Sequence, residues 1–380
     1  MQQLKNTIKI FVFILLSTSI WAQEEVNETP LSISGSVDAY FRTNLTSDNM
    51  VGDASVAPVT SFANLPGFSL GMVNVILEKE KGKFGFVGDL VLGPRGTDAV
   101  FLSTGSANIV NQLYMYLNVS DAVTLTLGNF NTYLGYEVIS PIDNFNYSTS
   151  YMFSYGPFSH TGLKADIALS DKMSLALAIM NPTDATEFNP FGSYVLGAQL
   201  GYESDAGGTW LNFRYGDEDG VLKADKNVIG DASAGNVFQV DLTTGFNVSD
   251  DFYLGLNATY LSTGAGETFA DGGIEDIDAD ASGFYGLAAY AQLAVSEDIT
   301  LGTRLEYFGE YNNFGIIPVD ADGDGSMIDI TLSANVAMED LTIIPEFRID
   351  LSSEDSAFPD SNLSPTSSLA SFVLAAVYAF

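Results

Sequence analysis

From about residue 32 onward, apolar and polar side chains alternate with a period of two. Phe238, Val240, Leu242 and Phe246 interleave with Gln239, Asp241, Thr243 and Asn247. Ile328, Ile330, Leu332, Ala334 and Val336 interleave with Asp329, Thr331, Ser333 and Asn335. Leu341, Ile343, Phe347, Ile349 and Leu351 interleave with Glu346, Arg348 and Asp350. Successive side chains of a strand point to opposite faces, so this pattern predicts strands with one apolar and one polar face. The runs last about nine to 13 residues, against about five or six in soluble sheets. About 9–11 residues is what a tilted strand needs to cross a bilayer.

The pattern predicts about 16 strands, with boundaries good to a few residues. They fall at 32–44, 67–78, 83–95, 108–118, 122–130, 155–168, 172–181, 192–203, 207–216, 236–248, 251–262, 283–295, 298–308, 326–338, 341–352 and 369–380. Tight connections (79–82, 119–121, 170–171, 204–206, 249–250, 296–297, 339–340) alternate with long ones (45–66, 96–107, 131–154, 182–191, 217–235, 263–282, 309–325, 353–367). An outer-membrane barrel has this asymmetry, with short periplasmic turns, long outer loops and an even strand count. The first long loop follows the first strand, which puts both barrel ends on the periplasmic side. A soluble sandwich would turn its polar faces to water and its apolar faces to a core. Here the apolar face is rich in Leu, Ile, Val and Phe, with Tyr and Phe near strand ends, as a lipid band with aromatic girdles requires. The expected fold is all-β: a transmembrane antiparallel up-and-down barrel forming one domain over residues 32–380.

Composition agrees. Forty-eight acids against 14 bases give a net charge of −34, which repels nucleic-acid phosphates. With 46% apolar and 12% aromatic residues the chain is far from a disordered acidic one. There is no Cys, which removes disulfides and thiolate chemistry. No run reaches about 18 consecutive apolar residues, so a mature chain in a membrane crosses it as strands. At the N-terminus, Lys5 and Lys9 precede an apolar run from Ile10 to Leu16, and Ala22 stands before Gln23, Glu24 and Glu25. That is the layout of a cleaved secretory signal peptide over 1–22, followed by a short periplasmic segment, 23–31. The expected location is the outer membrane of a Gram-negative-type cell.

Several stretches resemble the OmpL-like outer-membrane β-barrel porin family, the second β-barrel porin family, common in Bacteroidota. They are Ser34-Gly35-Ser36-Val37-Asp38-Ala39-Tyr40, Phe84-Gly85-Phe86-Val87-Gly88-Asp89 and Gly93-Pro94-Arg95. The densest are Asn146-Tyr147-Ser148, Ser150-Tyr151-Met152-Phe153-Ser154-Tyr155-Gly156-Pro157-Phe158 and His160-Thr161-Gly162, followed by Asn181-Pro182-Thr183-Asp184. The resemblance is strong over roughly 32–185 and generic beyond. It implies a porin and supplies no catalytic residues. The last strand, with Phe372, Leu374, Ala376, Tyr378 and Phe380 on one face, resembles the signal read by the barrel assembly machinery.

Candidate chemistry lies in the lumen and loops. All five arginines, Arg42, Arg95, Arg214, Arg304 and Arg348, share the polar parity of their strands. They are expected to form an arc near the outer mouth, with Asp38, Glu306, Glu346 and Asp350 close by, either selecting solutes or merely pairing buried charge. The third long loop is crowded with rings and is expected to fold inward as a constriction, through Tyr133, Tyr136, Glu137, Asp143, Phe145 and Tyr147; packing against the rim or a partner is the alternative. Asp320, Asp322 and Asp324 before Gly325 open like a calcium loop, but Thr331 stands where the bidentate Glu belongs. The only His, His160, has no spacing that points to a triad, so no enzyme is expected. The function expected is a channel for passive diffusion of small polar solutes or ions. The alternative is a plugged barrel that binds or supports through its acidic outer loops. The expected partners are the bilayer, lipopolysaccharide, the assembly machinery through Phe380 and, by porin analogy, two more copies in a homotrimer; no cofactor is implied.

Overall fold

The computed structural model describes residues 29–219, 227–270 and 273–380. The expected signal peptide, most of segment 23–31 and Asp271 of the acidic 263–282 loop lie outside the described residues.

The long strands close into one antiparallel barrel of 16. They are β1 Ser32–Asn44, β2 Gly67–Lys81, β3 Phe84–Leu92, β4 Val110–Ser120, β5 Val123–Asn131, β6 Ser159–Ala168, β7 Met173–Met180 and β8 Val195–Ser204. The second half comprises β9 Gly207–Gly216, β10 Val237–Asn247, β11 Phe252–Thr263, β12 Ser282–Ala294, β13 Ile299–Tyr311, β14 Gly325–Met338, β15 Leu341–Ser352 and β16 Ser368–Ala379. Each strand pairs with its sequence neighbours, and β1 closes on β16 from Ser36↔Ala379 to Asn44↔Ser371. Gly35 and Phe380 extend the seam by exchanging both backbone hydrogen bonds at 3.0 Å. Closure leaves no edge strand and no unpaired backbone for lipid to meet.

The alternation is realised as expected. Leu113 and Met115 of β4 are 59% and 63% exposed on the outside, where lipid covers them. Inward neighbours such as Asn212, Asp241, Arg304 and Asp329 are buried. Aromatic pairs sit on the outer face, Tyr260–Tyr311 near the strand ends, as a girdle does, and Phe347–Phe372 in mid-strand.

Strand ends fall within about four residues of expectation, and two of the departures matter for the site. The third strand ends at Leu92, and Arg95 lies in a short helix, α1 Pro94–Ala99, not on a strand. Gly93 at φ 105° turns the chain there, and proline suits a first helical turn. The sixth strand begins at Ser159, because residues 151–155 form a second short helix, α2 Tyr151–Tyr155, and Gly156-Pro157 separates the two.

The lumen is filled at its outer half. Tyr151 and Met152 from the third long loop, Val56 from the first, Ile317 and Phe358 from later loops pack on inward-facing Phe284, Phe308, Met327 and Leu369. Burial of these apolar groups draws the outer loops into the barrel.

Candidate functional site: an inward loop stapled to the wall

The loop between β5 and β6, residues 132–158, runs inside the barrel. Its backbone is held by wall carboxylates. Glu346 accepts the N–H groups of Tyr147 and Ser148 at 2.8 and 3.1 Å. Glu306 accepts those of Tyr151 and Met152, both at 2.8 Å, and Ser150 Oγ accepts that of Phe153 at 3.1 Å. The first turn of α2 thus has its otherwise unpaired donors satisfied by one wall acid and one cap. Asp38 accepts the Tyr147 hydroxyl at 2.5 Å and the Met72 N–H at 2.9 Å, where β1 and β2 shift register. A side chain at Gly71 would collide with that carboxylate.

Two arginines on the strands that carry Glu306 and Glu346 add further ties. Arg304 reaches Glu137 at 2.6 Å, the Ser148 carbonyl at 2.8 Å and Asp329 at 2.9 Å. Arg348 reaches Asp329 at 2.8 Å, Asp350 at 2.7 Å and the Thr149 carbonyl at 2.7 Å. Tyr151 donates to Asp350 at 2.9 Å, and Ser150 N–H to Glu137 at 2.7 Å. Every one of these side chains is buried.

Further round the wall, on β10 and β9, Gly135 N–H donates to Asp241 at 3.0 Å and Tyr133 to the Phe213 carbonyl at 3.0 Å. Tyr136 bonds Tyr253 at 2.9 Å and stacks on Tyr290 with centroids 4.0 Å apart. Loop side chains also fill the space over inward-facing glycines. Tyr133 lies over Gly197, Tyr136 over Gly255, Met152 over Gly286 and Phe145 over Gly302, each where a Cβ would collide. Between the loop (Leu134, Gly135, Gly156, Pro157) and the β10–β11 wall (Gln239, Asp241, Asn257, Thr259) a gap of about 10 Å³ remains, room for about one water.

The structure therefore gathers Arg304, Arg348, Glu306, Glu346, Asp350 and Asp38, with Glu137 and Tyr147, into one loop-anchoring cluster. Arg214 stands apart from it, Arg95 meets it only at Tyr147, and Arg42 lies within electrostatic reach of Arg348 and Asp350 without bonding to either, so the five arginines do not form one continuous arc. Arg42 donates to the Val56 carbonyl and Asn44, and Arg214 to Gln239 at 2.7 Å and Glu218 at 2.5 Å. Arg95, from α1, donates to the carbonyls of Ile139 and Tyr147. Asp143 is exposed and takes no part in the cluster. Sequence reasoning missed Asp329, which carries the inward parity of its strand, and the wall glycines, whose signal was glycine at inward positions. It also missed two carboxylates whose polar partners are all uncharged. Asp241 accepts from Asn212, Asn257, Thr243 and Gly135 N–H, and Asp89 from Asn74, Asn111 and Gln112.

Among the described residues no three potential metal ligands come together, those of the 320–324 loop included. Asp320 Oδ1 instead accepts the N–H groups of Asp322 and Asp324 at 2.9 and 3.1 Å. His160 faces inward, 3.0 Å from Thr132 Oγ1, with its ring beside Phe130 and Tyr133.

An edgeless 16-strand barrel, apolar outside and charged within, with its third loop drawn inside, is an outer-membrane channel of the porin type. The chain belongs to the family described as "Putative beta-barrel porin-2, OmpL-like", whose model matches residues 30–380. Similar solved structures include in vitro-folded OmpT of Vibrio cholerae in its trimer form, at 10% identity and TM-score 0.58, covering 92% of this chain and 99% of that one. The outer-membrane channel DcaP of Acinetobacter baumannii is similar at 10% identity and TM-score 0.55, with 95% and 99% covered. An anion-selective porin from Comamonas acidovorans is similar at 10% identity and TM-score 0.57, with 93% and 100% covered. At these identities the likeness is one of fold. No curated protein matches the chain.

Proposed function

We propose that this channel passes small polar solutes and ions by diffusion, along a path narrowed by residues 132–158. One observation carries the reading: the loop crosses the lumen, hydrogen-bonded at Asp38 on β1 and at Asp241 on β10, seven strands apart round the barrel of 16. The reading includes a preference for cations. The inward arginines are engaged by acids, amides or carbonyl oxygens, whereas Asp241, beside the gap of about 10 Å³ between loop and wall, has only uncharged donors around it. Charge at a constriction sets ion preference. Planar-bilayer recording of a 138–148 deletion tests the constriction; conductance should rise, and an unchanged value would sink it.

A plugged barrel that works through its outer surface is the second reading. The apolar packing of Phe284, Phe308, Met327 and Leu369 against loop residues supports it. Liposome swelling separates the two, since a plug admits nothing.

Neither reading includes an enzyme: the sole His lies among aromatic rings, with a threonine hydroxyl as its bonded partner. No cofactor is part of the proposal, calcium included. Export with cleavage after Ala22, assembly through the strand ending at Phe380 and contact of the outer loops with lipopolysaccharide complete it. The trimer form of the similar OmpT supports a homotrimer here.

A further inference from the structure

Arg95 is 4% exposed and has no carboxylate partner among the described residues. Its Nε donates to the Ile139 carbonyl at 2.9 Å and its Nη1 to the Tyr147 carbonyl at 3.1 Å. The guanidinium lies between two rings, 4.4 Å from the centroid of Phe62 and 5.3 Å from that of Tyr147. Its Nη2, which carries two N–H donors, is buried without any hydrogen-bond partner. Arg95, Phe62 and Tyr147 also line one cavity of about 60 Å³, together with Tyr40, Ser61 and Asn64. Asp98 is the one acid on its lining, and that residue is exposed.

A buried cation with no opposite charge is costly, and the cost is met by pairing. Ring faces and two neutral carbonyls soften it without cancelling the charge. Among the other buried arginines, Arg304 and Arg348 share Asp329 and Arg214 has Glu218, while Arg42, which also bonds no carboxylate, has both terminal nitrogens engaged, by the Val56 carbonyl and Asn44. The cavity beside Arg95 holds space for a few waters, which is also the space of a small anion. Loop residues hold its wall in place: Ser61 N–H donates to Ser154 Oγ at 2.9 Å and Leu65 N–H to the Tyr40 hydroxyl at 3.0 Å. Ala63, between them, sits at φ 64°, a conformation that residues with a side chain seldom adopt.

We propose that this cavity is a binding site for a small monovalent anion of chloride-to-formate size, held by Arg95 Nη2. The anion is a structural element, since Arg95 carries the carbonyls of Ile139 and Tyr147 and so pins the inward loop to α1.

The full-length barrel in detergent tests this in two ways. Thermal unfolding is followed at constant ionic strength while chloride or formate replaces gluconate. The midpoint should rise by a few degrees with either small anion, because a ligand that binds only the folded state stabilises it. In Arg95→Gln that rise should vanish. Crystals of the unaltered protein soaked in bromide give the second measurement, with an anomalous peak expected within hydrogen-bonding distance of Nη2. It needs no variant to fold. An equal rise in Arg95→Gln, equal midpoints in chloride and gluconate, or a bromide soak with no peak beside Arg95 would each overturn the proposal.

Discussion

Arg304→Met removes the guanidinium at the centre of the loop anchor and keeps comparable bulk. Arg304 is fully buried and holds Glu137, Asp329 and the Ser148 carbonyl. Asp329 keeps Arg348 at 2.8 Å, so Glu137 is the carboxylate left without a cation, retaining the Ser150 N–H. Removing one partner of a buried pair costs about 3–5 kcal/mol, most of it the stranded charge. Glu137 belongs to the loop and Asp329 to the wall. Undocking the loop returns Glu137 to water, so the penalty falls on the docked state alone. Taking about 3 kcal/mol, the low end of that range, the docking equilibrium shifts by about two decades at about 1.4 kcal/mol per tenfold.

The loop does not fall out. Glu306 and Glu346 still hold four backbone N–H groups and Asp38 the Tyr147 hydroxyl, each such charged hydrogen bond worth about 1.5–3 kcal/mol. The expected phenotype is therefore kinetic. Single-channel records of Arg304→Met should show brief open events about a hundredfold more frequent than in the unaltered protein. Their amplitude should match that of the 138–148 deletion. Adding Glu137→Gln removes the stranded charge and should bring the frequency most of the way back, a coupling that a double-mutant cycle reads directly. If the double variant opens as often as the single one, the stranded-charge reasoning is wrong. If neither differs from the unaltered protein while conductance is present, the loop is not what narrows the path.

Asp241→Asn should move the zero-current potential in a salt gradient away from the cation side, with conductance retained; an unmoved potential would assign Asp241 to structure alone. Gly255→Leu places a side chain where the Tyr136 ring lies 2.7 Å away, stacked on Tyr290; it should displace the loop and raise conductance in bilayers. Asp184, in the β7–β8 loop, has its carboxyl pushed up to about 6 by desolvation, against the lowering effect of the Ser159 and Phe158 N–H groups. Its folded form keeps the proton to higher pH than the unfolded chain, so stability is fullest below about 4 and falls as pH rises to about 6. Denaturant unfolding from pH 4 to 7 should show that slope, and Asp184→Asn, which keeps the acceptor for both N–H groups, should flatten it. Calorimetry with millimolar calcium should show no saturable uptake at Asp320, whose carboxylate is engaged by its own loop.

The barrel was legible because its two solvents write a pattern of period two that nothing local disturbs. Strands such as Ser32–Asn44, Gly207–Gly216 and Leu341–Ser352 match the expected limits to the residue. Two of the misses occur where a turn residue outranks periodicity: Gly93-Pro94 ends β3 early, and Gly156-Pro157 delays β6; β2 and β13 instead run three residues past their expected ends, to Lys81 and Tyr311. The parity rule also placed Arg304, Glu306, Glu346, Arg348 and Asp350 correctly on the inward face. Which of them meet one another was not legible. Arg304 and Glu137 lie 167 positions apart, and Tyr151 and Asp350 are separated by 199. No periodicity encodes contacts between a loop and the far wall. The loop's ring content signalled burial, but its seats are glycines, which carry no apolar signal.

The surplus of acid inside the barrel bears on how such a loop can be both anchored and releasable. Around Arg304 and Arg348 stand Glu137, Glu306, Asp329, Glu346 and Asp350, more carboxylates than guanidinium groups. In a closed soluble core that surplus is hard to sustain. Here the loop backbone supplies the missing donors, with paired N–H groups on both Glu306 and Glu346. When the loop leaves, water takes the place of those donors, and a charged wall is the ordinary state of a hydrated lumen. The wall acids therefore have hydrogen-bond donors with the loop docked or undocked, and the barrel need not unfold to release it. The apolar residues above behave oppositely. Phe284, Phe308, Met327 and Leu369 would meet water once Tyr151 and Met152 withdrew, at about 25 cal/mol per Å² exposed. Release is thus opposed by the apolar outer half as well as by the charged hydrogen bonds below it, and Tyr151 and Met152, which belong to both, are the last part of the loop to leave.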